Sequence, residues 1–134
     1  MKGIAMDNDA NLIRKAIEAA SGAYARYSNF KVGAALLCED GVIVTGCNIE
    51  NGSYGLSMCA ERVAVFKAVS EGRRDFKAIA IVGGRDVPAY PCGACRQVLS
   101  EFCKPEMPVF CATLDGKNVE RFTLEELLPK NFIL

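Results

Sequence analysis

Apolar residues recur at Leu12, Ile13, Ala16, Ile17, Ala20 and Ala23, the spacing of one helical face, and predict an amphipathic helix over residues 9–26. The period then changes from helix to strand. Tyr27-Ser28-Asn29 interrupts the pattern, residues 30–38 (FKVGAALLC) and 42–47 (VIVTGC) read as neighbouring antiparallel strands, and Glu39-Asp40-Gly41 is the hairpin turn between them. Residues 48–55 are polar and glycine-rich, which makes them a loop or strand end. An alanine-rich second helix over residues 59–71 is closed by Gly72. Residues 78–82 (AIAIV) are apolar without alternation, as expected of a central strand covered on both faces. A third helix starts near Cys92 and ends in the stretch containing Pro105 and Pro108. Residues 109–113 and 119–122 are a fourth strand and an edge strand, and Thr123 to Glu126 has the form of a capped helical start halted by Pro129.

The order αββαβαββ with a short tail helix predicts an α/β fold: a three-layer α/β/α sandwich around a five-stranded mixed sheet. Strands separated by helices are expected to pair in parallel through right-handed crossovers. No repeat, low-complexity segment or linker divides the chain, so residues 1–134 are expected to form one domain.

Composition narrows the function. Lys plus Arg and Asp plus Glu both number 16, so the net charge is zero, and no basic run offers a footprint for a phosphate backbone. A small neutral substrate fits better than nucleic acid. No apolar run approaches a membrane span, and no charged-then-apolar leader opens the sequence. Seven cysteines, an odd number scattered through apolar stretches, point to a reducing cytoplasm more than to an extracellular disulfide scaffold.

The chain contains no histidine, which removes the commonest metal ligand and the commonest general base together. Any zinc must then be held by thiolates or carboxylates. Cys59, Cys92 and Cys95 lie in two segments that each read as the opening of a helix, and three protein ligands with one place left for water is the pattern of hydrolytic zinc. Taken alone, Cys92-x-x-Cys95 also suits a redox pair or half of a structural zinc cluster. The redox reading leaves Cys59 and Glu61 unused. The structural reading needs Cys103, which lies eight residues beyond Cys95, about 12 Å along a helix axis. Cys38, Cys47 and Cys111 sit in apolar strands as small core residues.

Three thiolates on a dication leave a negative charge, which the positive ends of two helices and the guanidinium of Arg62 can offset. Without its neighbouring Cys, Arg62 would read as an exposed helix cation. Glu61 is the carboxylate placed to move protons beside the metal. Asn48 and Glu50, two apart in extended chain, fall on one side and can grip a ligand together, although turn formation explains such residues equally well.

Cys59-Ala60-Glu61 followed by Pro91-Cys92-Gly93-Ala94-Cys95 is similar to the zinc deaminase signature in its three-cysteine form, and the zinc, water and glutamate roles are those of that class generally. The stretches from Tyr27 to Ala35, from Gly46 to Asn51, from Cys92 to Gln97 and from Glu126 to Pro129 extend the resemblance to the small homotetrameric cytidine deaminases over nearly the whole chain. The resemblance implies a cytidine deaminase-like fold and one Zn²⁺ per subunit on Cys59, Cys92 and Cys95, with Arg62 compensating charge. It implies a hydrolase converting cytidine and deoxycytidine to uridine and deoxyuridine in pyrimidine salvage, with Glu61 as proton shuttle. It further implies that Asn48 and Glu50 bind the ribose hydroxyls, that Phe30 packs on the nucleoside and that the Ala60 N–H meets the pyrimidine carbonyl. Tyr54 and Phe132 correspond to residues lent to a neighbouring subunit's pocket; for these two and Phe30, core or interface packing is the plainer alternative.

Overall fold

In the computed structural model, which describes residues 7–134, the first amphipathic run folds as α1 (Asp7–Ala20) and stops at Ala20 rather than near residue 26. The periodicity runs on to Ala23, but the backbone does not. Gly22 N–H turns back to the Ala19 carbonyl at 3.0 Å, and the chain beyond is drawn into extended pairing with the loop after the hairpin. There Tyr24 N–H donates to the Asn48 carbonyl at 3.0 Å and Glu50 N–H donates to the Tyr24 carbonyl at 2.8 Å. These long-range bonds satisfy the backbone groups that a longer helix would have satisfied locally.

The strands are β1 (Val32–Cys38), β2 (Ile43–Cys47), β3 (Phe76–Gly83), β4 (Pro108–Ala112) and β5 (Val119–Thr123), in the order β2-β1-β3-β4-β5. Between them lie α2 (Ala60–Ser70) and α3 (Gly93–Phe102), with α4 (Leu124–Leu127) after β5. The antiparallel β1–β2 hairpin and the edge position of β5 match expectation, and β5 pairs antiparallel with β4. Parallel pairing is confined to β3 and β4 among the described strands. The crossover through α2 does connect strands of one direction, β2 and β3, but β3 takes the place beyond β1 and pairs with it antiparallel. A helical crossover specifies direction and leaves adjacency open.

Two apolar layers sandwich the sheet. On one face Leu12, Ile13 and Ala16 of α1 pack against Ala35, Ala80 and Val82. On the other, Ala64, Val65 and Ala68 of α2 and Leu99 of α3 pack against Leu36, Ile79 and Ile81. Alternation along β3 sends Ile79 and Ile81 one way and Ala78, Ala80 and Val82 the other, so both faces of this central strand are covered. Full burial of Leu12, Leu36 and Ile79 stabilises the sandwich by about 1.5–3 kcal/mol for each side chain.

Two glycines set how closely the helices sit. A Cβ on Gly33 would lie 2.0 Å from the Ala16 carbonyl oxygen of α1, and one on Gly46 would lie 2.6 Å from both the Ala60 oxygen and the Ala64 nitrogen of α2. Helix backbone therefore rests directly on strand backbone at both places. The Gly46 contact lies in the first turns of α2, beside Cys59 and Glu61. At the far end, Thr123 and Glu126 form the expected capping box, with Thr123 N–H donating to Glu126 Oε1 at 2.7 Å.

Candidate metal centre

Cys59 is the N-cap of α2 and Cys92 the N-cap of α3, and Cys95 lies in the first turn of α3. Close packing of α2 and α3 on one face of the sheet brings these starts together. The three sulfurs lie within 4.8 Å of one another, and Cys59 Sγ and Cys92 Sγ are 3.8 Å apart. Tetrahedral zinc with Zn–S bonds of about 2.3 Å places its sulfurs about 3.8 Å apart, so the donor set fits that metal. All three thiols are free of disulfide bonds. Cys103 caps the far end of α3 and stands apart from the trio, as the helical rise requires. Burial pushes Cys103 and Cys111 up to about 12, which keeps them protonated thiols.

Arg62 comes from the first turn of α2 and places Nη2 3.4 Å from Cys59 Sγ, while its Nε is buried without a hydrogen-bond partner. The Cys95 thiol bonding to Cys59, joined by Arg62, pulls Cys59 down to about 5. Cys95 moves upward, because Cys59 takes its hydrogen bond and burial disfavours its charge. Glu61 is 4% exposed. Burial, reinforced by the nearby charge of Cys59, pushes its carboxyl up to about 7. A carboxyl with that value both accepts and donates a proton near neutrality.

Above the trio lies a cavity of about 280 Å³ that gathers Phe30, Asn48, Glu50, Ala60 and Glu61 beside Cys59 and Cys92. Ala60 carries one of the first amides of α2, which have no intrahelical acceptor. Residues 6–111 match the family model described as the cytidine and deoxycytidylate deaminase zinc-binding region. The chain belongs to the cytidine and deoxycytidylate deaminase family. It is 54% identical over 121 residues to the cytidine deaminase of Halalkalibacterium halodurans, covering 90% of this chain and 91% of the relative. Against the cytidine deaminase of Mycobacterium tuberculosis the identity is 52% over 127 residues, covering 94% and 91%. The crystal structure of the Burkholderia pseudomallei cytidine deaminase superposes with a TM-score of 0.88 at 50% identity, covering 92% of this chain and 98% of that one.

For a deaminase of this family the rim of the cavity is more committed than the sequence suggested. Asn48 Oδ1 accepts from Val32 N–H at 2.8 Å and its Nδ2 donates to the Phe30 carbonyl at 2.9 Å. Glu50 Oε1 accepts from the amides of Tyr27 and Ser28 at 3.0 and 3.1 Å, and its Oε2 accepts from the Ser28 hydroxyl. That hydroxyl, with the two amides, holds the Glu50 carboxyl below its ordinary value. Both side chains keep hydrogen-bonding capacity: one N–H and one lone pair on Asn48, further lone pairs on Glu50. Tyr54 and Phe132, 76% and 68% exposed, do not line this cavity. Tyr54 instead borders a neighbouring depression and meets Tyr27 edge to face at 6.2 Å.

Sequence reasoning missed Ser28 and Tyr90, which line the cavity. Ser28 carries no local signal, because its role depends on Glu50, distant in sequence. Tyr90 did leave one: it precedes Pro91-Cys92, and a residue before proline is held extended, here within reach of a metal ligand.

Proposed function

We propose that this chain catalyses the zinc-dependent hydrolytic deamination of cytidine and deoxycytidine to uridine and deoxyuridine, releasing ammonia. The observation that carries the reading is a buried carboxyl, Glu61, set beside three thiols at zinc-compatible spacing, with Glu61, Cys59 and Cys92 lining one cavity of about 280 Å³. When bound, the zinc supplies Lewis-acid activation of a water molecule. Glu61 would carry one proton of that water to ring N3 as the water oxygen bonds to C4, and would then carry the oxygen's second proton to the amino group, whose bond to C4 breaks to release ammonia. One carboxyl acts as base and then as acid, which a value near 7 permits. Arg62 and the amide ends of α2 and α3 hold the negative charge gathered on Cys59, Cys92 and Cys95.

The Ala60 N–H donates to the pyrimidine carbonyl, the spare capacity of Asn48 and Glu50 takes the sugar hydroxyls, and Phe30 packs on the nucleoside. Tyr54 and Phe132 complete the pocket of a neighbouring copy within a homotetramer, a reading supported by two large exposed aromatics that do not line the cavity above the sulfurs of their own chain. The enzyme works in the cytoplasm, in pyrimidine salvage; among the described residues no helix is long and apolar enough to cross a membrane. Mixing the purified protein with cytidine should produce the ultraviolet change of conversion to uridine, abolished by a strong chelator and restored by zinc. No change with zinc-loaded protein would reject the assignment.

A further inference from the structure

Two aromatic residues line the cavity. Phe30 lies beside Asn48, whose Nδ2 donates to its carbonyl, and Tyr90 lies two residues before Cys92. Tyr90 is anchored on three sides. Its hydroxyl donates to the Glu120 carboxylate on β5, and its ring meets Phe122 edge to face with centroids 6.0 Å apart and planes at 75°. Pro91, fully buried, follows it and restricts its backbone. The Glu120 carboxylate also pushes the Tyr90 hydroxyl above its ordinary value, so the phenol keeps its proton and the tether persists at neutral pH. Ala89 beside it also lines the cavity and is small, which leaves Tyr90 as the large residue of that segment. A ring held at its edge and its tip presents a fixed surface without losing rotamer freedom on binding.

We infer that Tyr90 is a specificity-determining residue that sets the size of groups allowed next to the reacting carbon. The inference rests on the deaminase reading above. In that reading the reacting carbon, C4, lies over the sulfurs and Glu61. A group can be attached beside it at ring C5 or on the exocyclic nitrogen, and such a group must fit between the sulfurs and the Tyr90 ring. Glu120 and Phe122 are positioning residues that keep the ring in place.

The test compares kcat/KM for 5-methylcytidine and for N4-methylcytidine with that for cytidine, in the parent enzyme, Tyr90→Ala, Tyr90→Phe and Glu120→Ala. A ratio taken within one preparation is independent of the fraction of folded enzyme. Tyr90→Ala should raise at least one ratio by about tenfold or more, the scale on which an apolar wall discriminates one methyl group. Tyr90→Phe and Glu120→Ala, which each remove the tether but keep the ring and its contact with Phe122, should both fall between the parent and Tyr90→Ala. Equilibrium dialysis should show affinity for 5-iodouridine rising relative to uridine in the same order, with zinc content at the parent level. Should Tyr90→Ala prove insoluble, Tyr90→Leu replaces it, with an intermediate rise expected. Ratios in an active Ala or Leu variant within about twofold of the parent would overturn the inference alone. A zinc-loaded parent that leaves cytidine unchanged would overturn both this inference and the deaminase assignment.

Discussion

The two faces of the sheet are built by the same packing and do different work. On each, a strand glycine lets a helix backbone settle on the sheet: Gly33 beneath Ala16 and Ala20 of α1, Gly46 beneath Ala60 and Ala64 of α2. The α1 face is closed by Leu12, Ile13, Ala16 and small strand residues, and no metal-ligating cluster lies there among the described residues. The α2 and α3 face is equally apolar at its centre, yet its helices begin at cysteines and point their first turns at one cavity. Chemistry here follows from where helices start, not from how well they pack. Apolar packing brings the starts to within a sulfur–sulfur distance; the residues placed at them decide what they hold.

The comparison can be broken most directly by removing a ligand. Cys92→Ala should lower zinc content, measured by elemental mass spectrometry, from one per chain to essentially none, with activity lost in step. Retention of full zinc would show that the trio is not the metal site. Next in size, Glu61→Gln should reduce kcat by on the order of 10⁴-fold, the upper range for a positioned acid–base group, while zinc content and the denaturation midpoint hold. A variant still turning over at the parent rate would remove Glu61 from proton transfer.

The glycines sharpen the contrast between faces. Gly33→Ala and Gly46→Ala each force a Cβ into helix backbone and should each destabilise the protein by about 1–3 kcal/mol in chemical denaturation. Only Gly46→Ala should also weaken zinc retention against a competing chelator, because only α2 carries Cys59 and Arg62. Equal loss of zinc from both variants would mean that metal affinity tracks global stability. Smallest of the set, Glu50→Gln should raise KM for cytidine by about tenfold with little change in kcat, since it weakens charged hydrogen bonds to the sugar hydroxyls. A change confined to kcat would place Glu50 in the chemistry instead.

Much of this was legible along the chain. The metal trio, Glu61 and Arg62 all lie within one turn of two helix starts, so short spacings and one helical rise encode them, and the same rise excludes Cys103. The capping box of Thr123 and Glu126 and the doubly covered strand β3 were visible for the same reason: each rests on neighbours in sequence. The rim was less legible. That Asn48 and Glu50 spend much of their capacity on the backbone of residues 27–32 depends on a loop meeting a segment distant in sequence, and nothing local to either records it.

By itself the sequence determined element type, the closure of the helices on an apolar sheet and the donor set for zinc, because periodicity and near-neighbour spacing act through backbone geometry alone. The tertiary structure decided the rest. It set β3 against β1, ended α1 at Ala20 by pairing Tyr24 with Asn48 and Glu50, and joined Tyr90, a residue lining the cavity, to Glu120. Each of these joins groups far apart in the chain. Which such groups meet depends on how the whole chain closes, where many arrangements satisfy the local pattern and only one satisfies the buried backbone and fills the core.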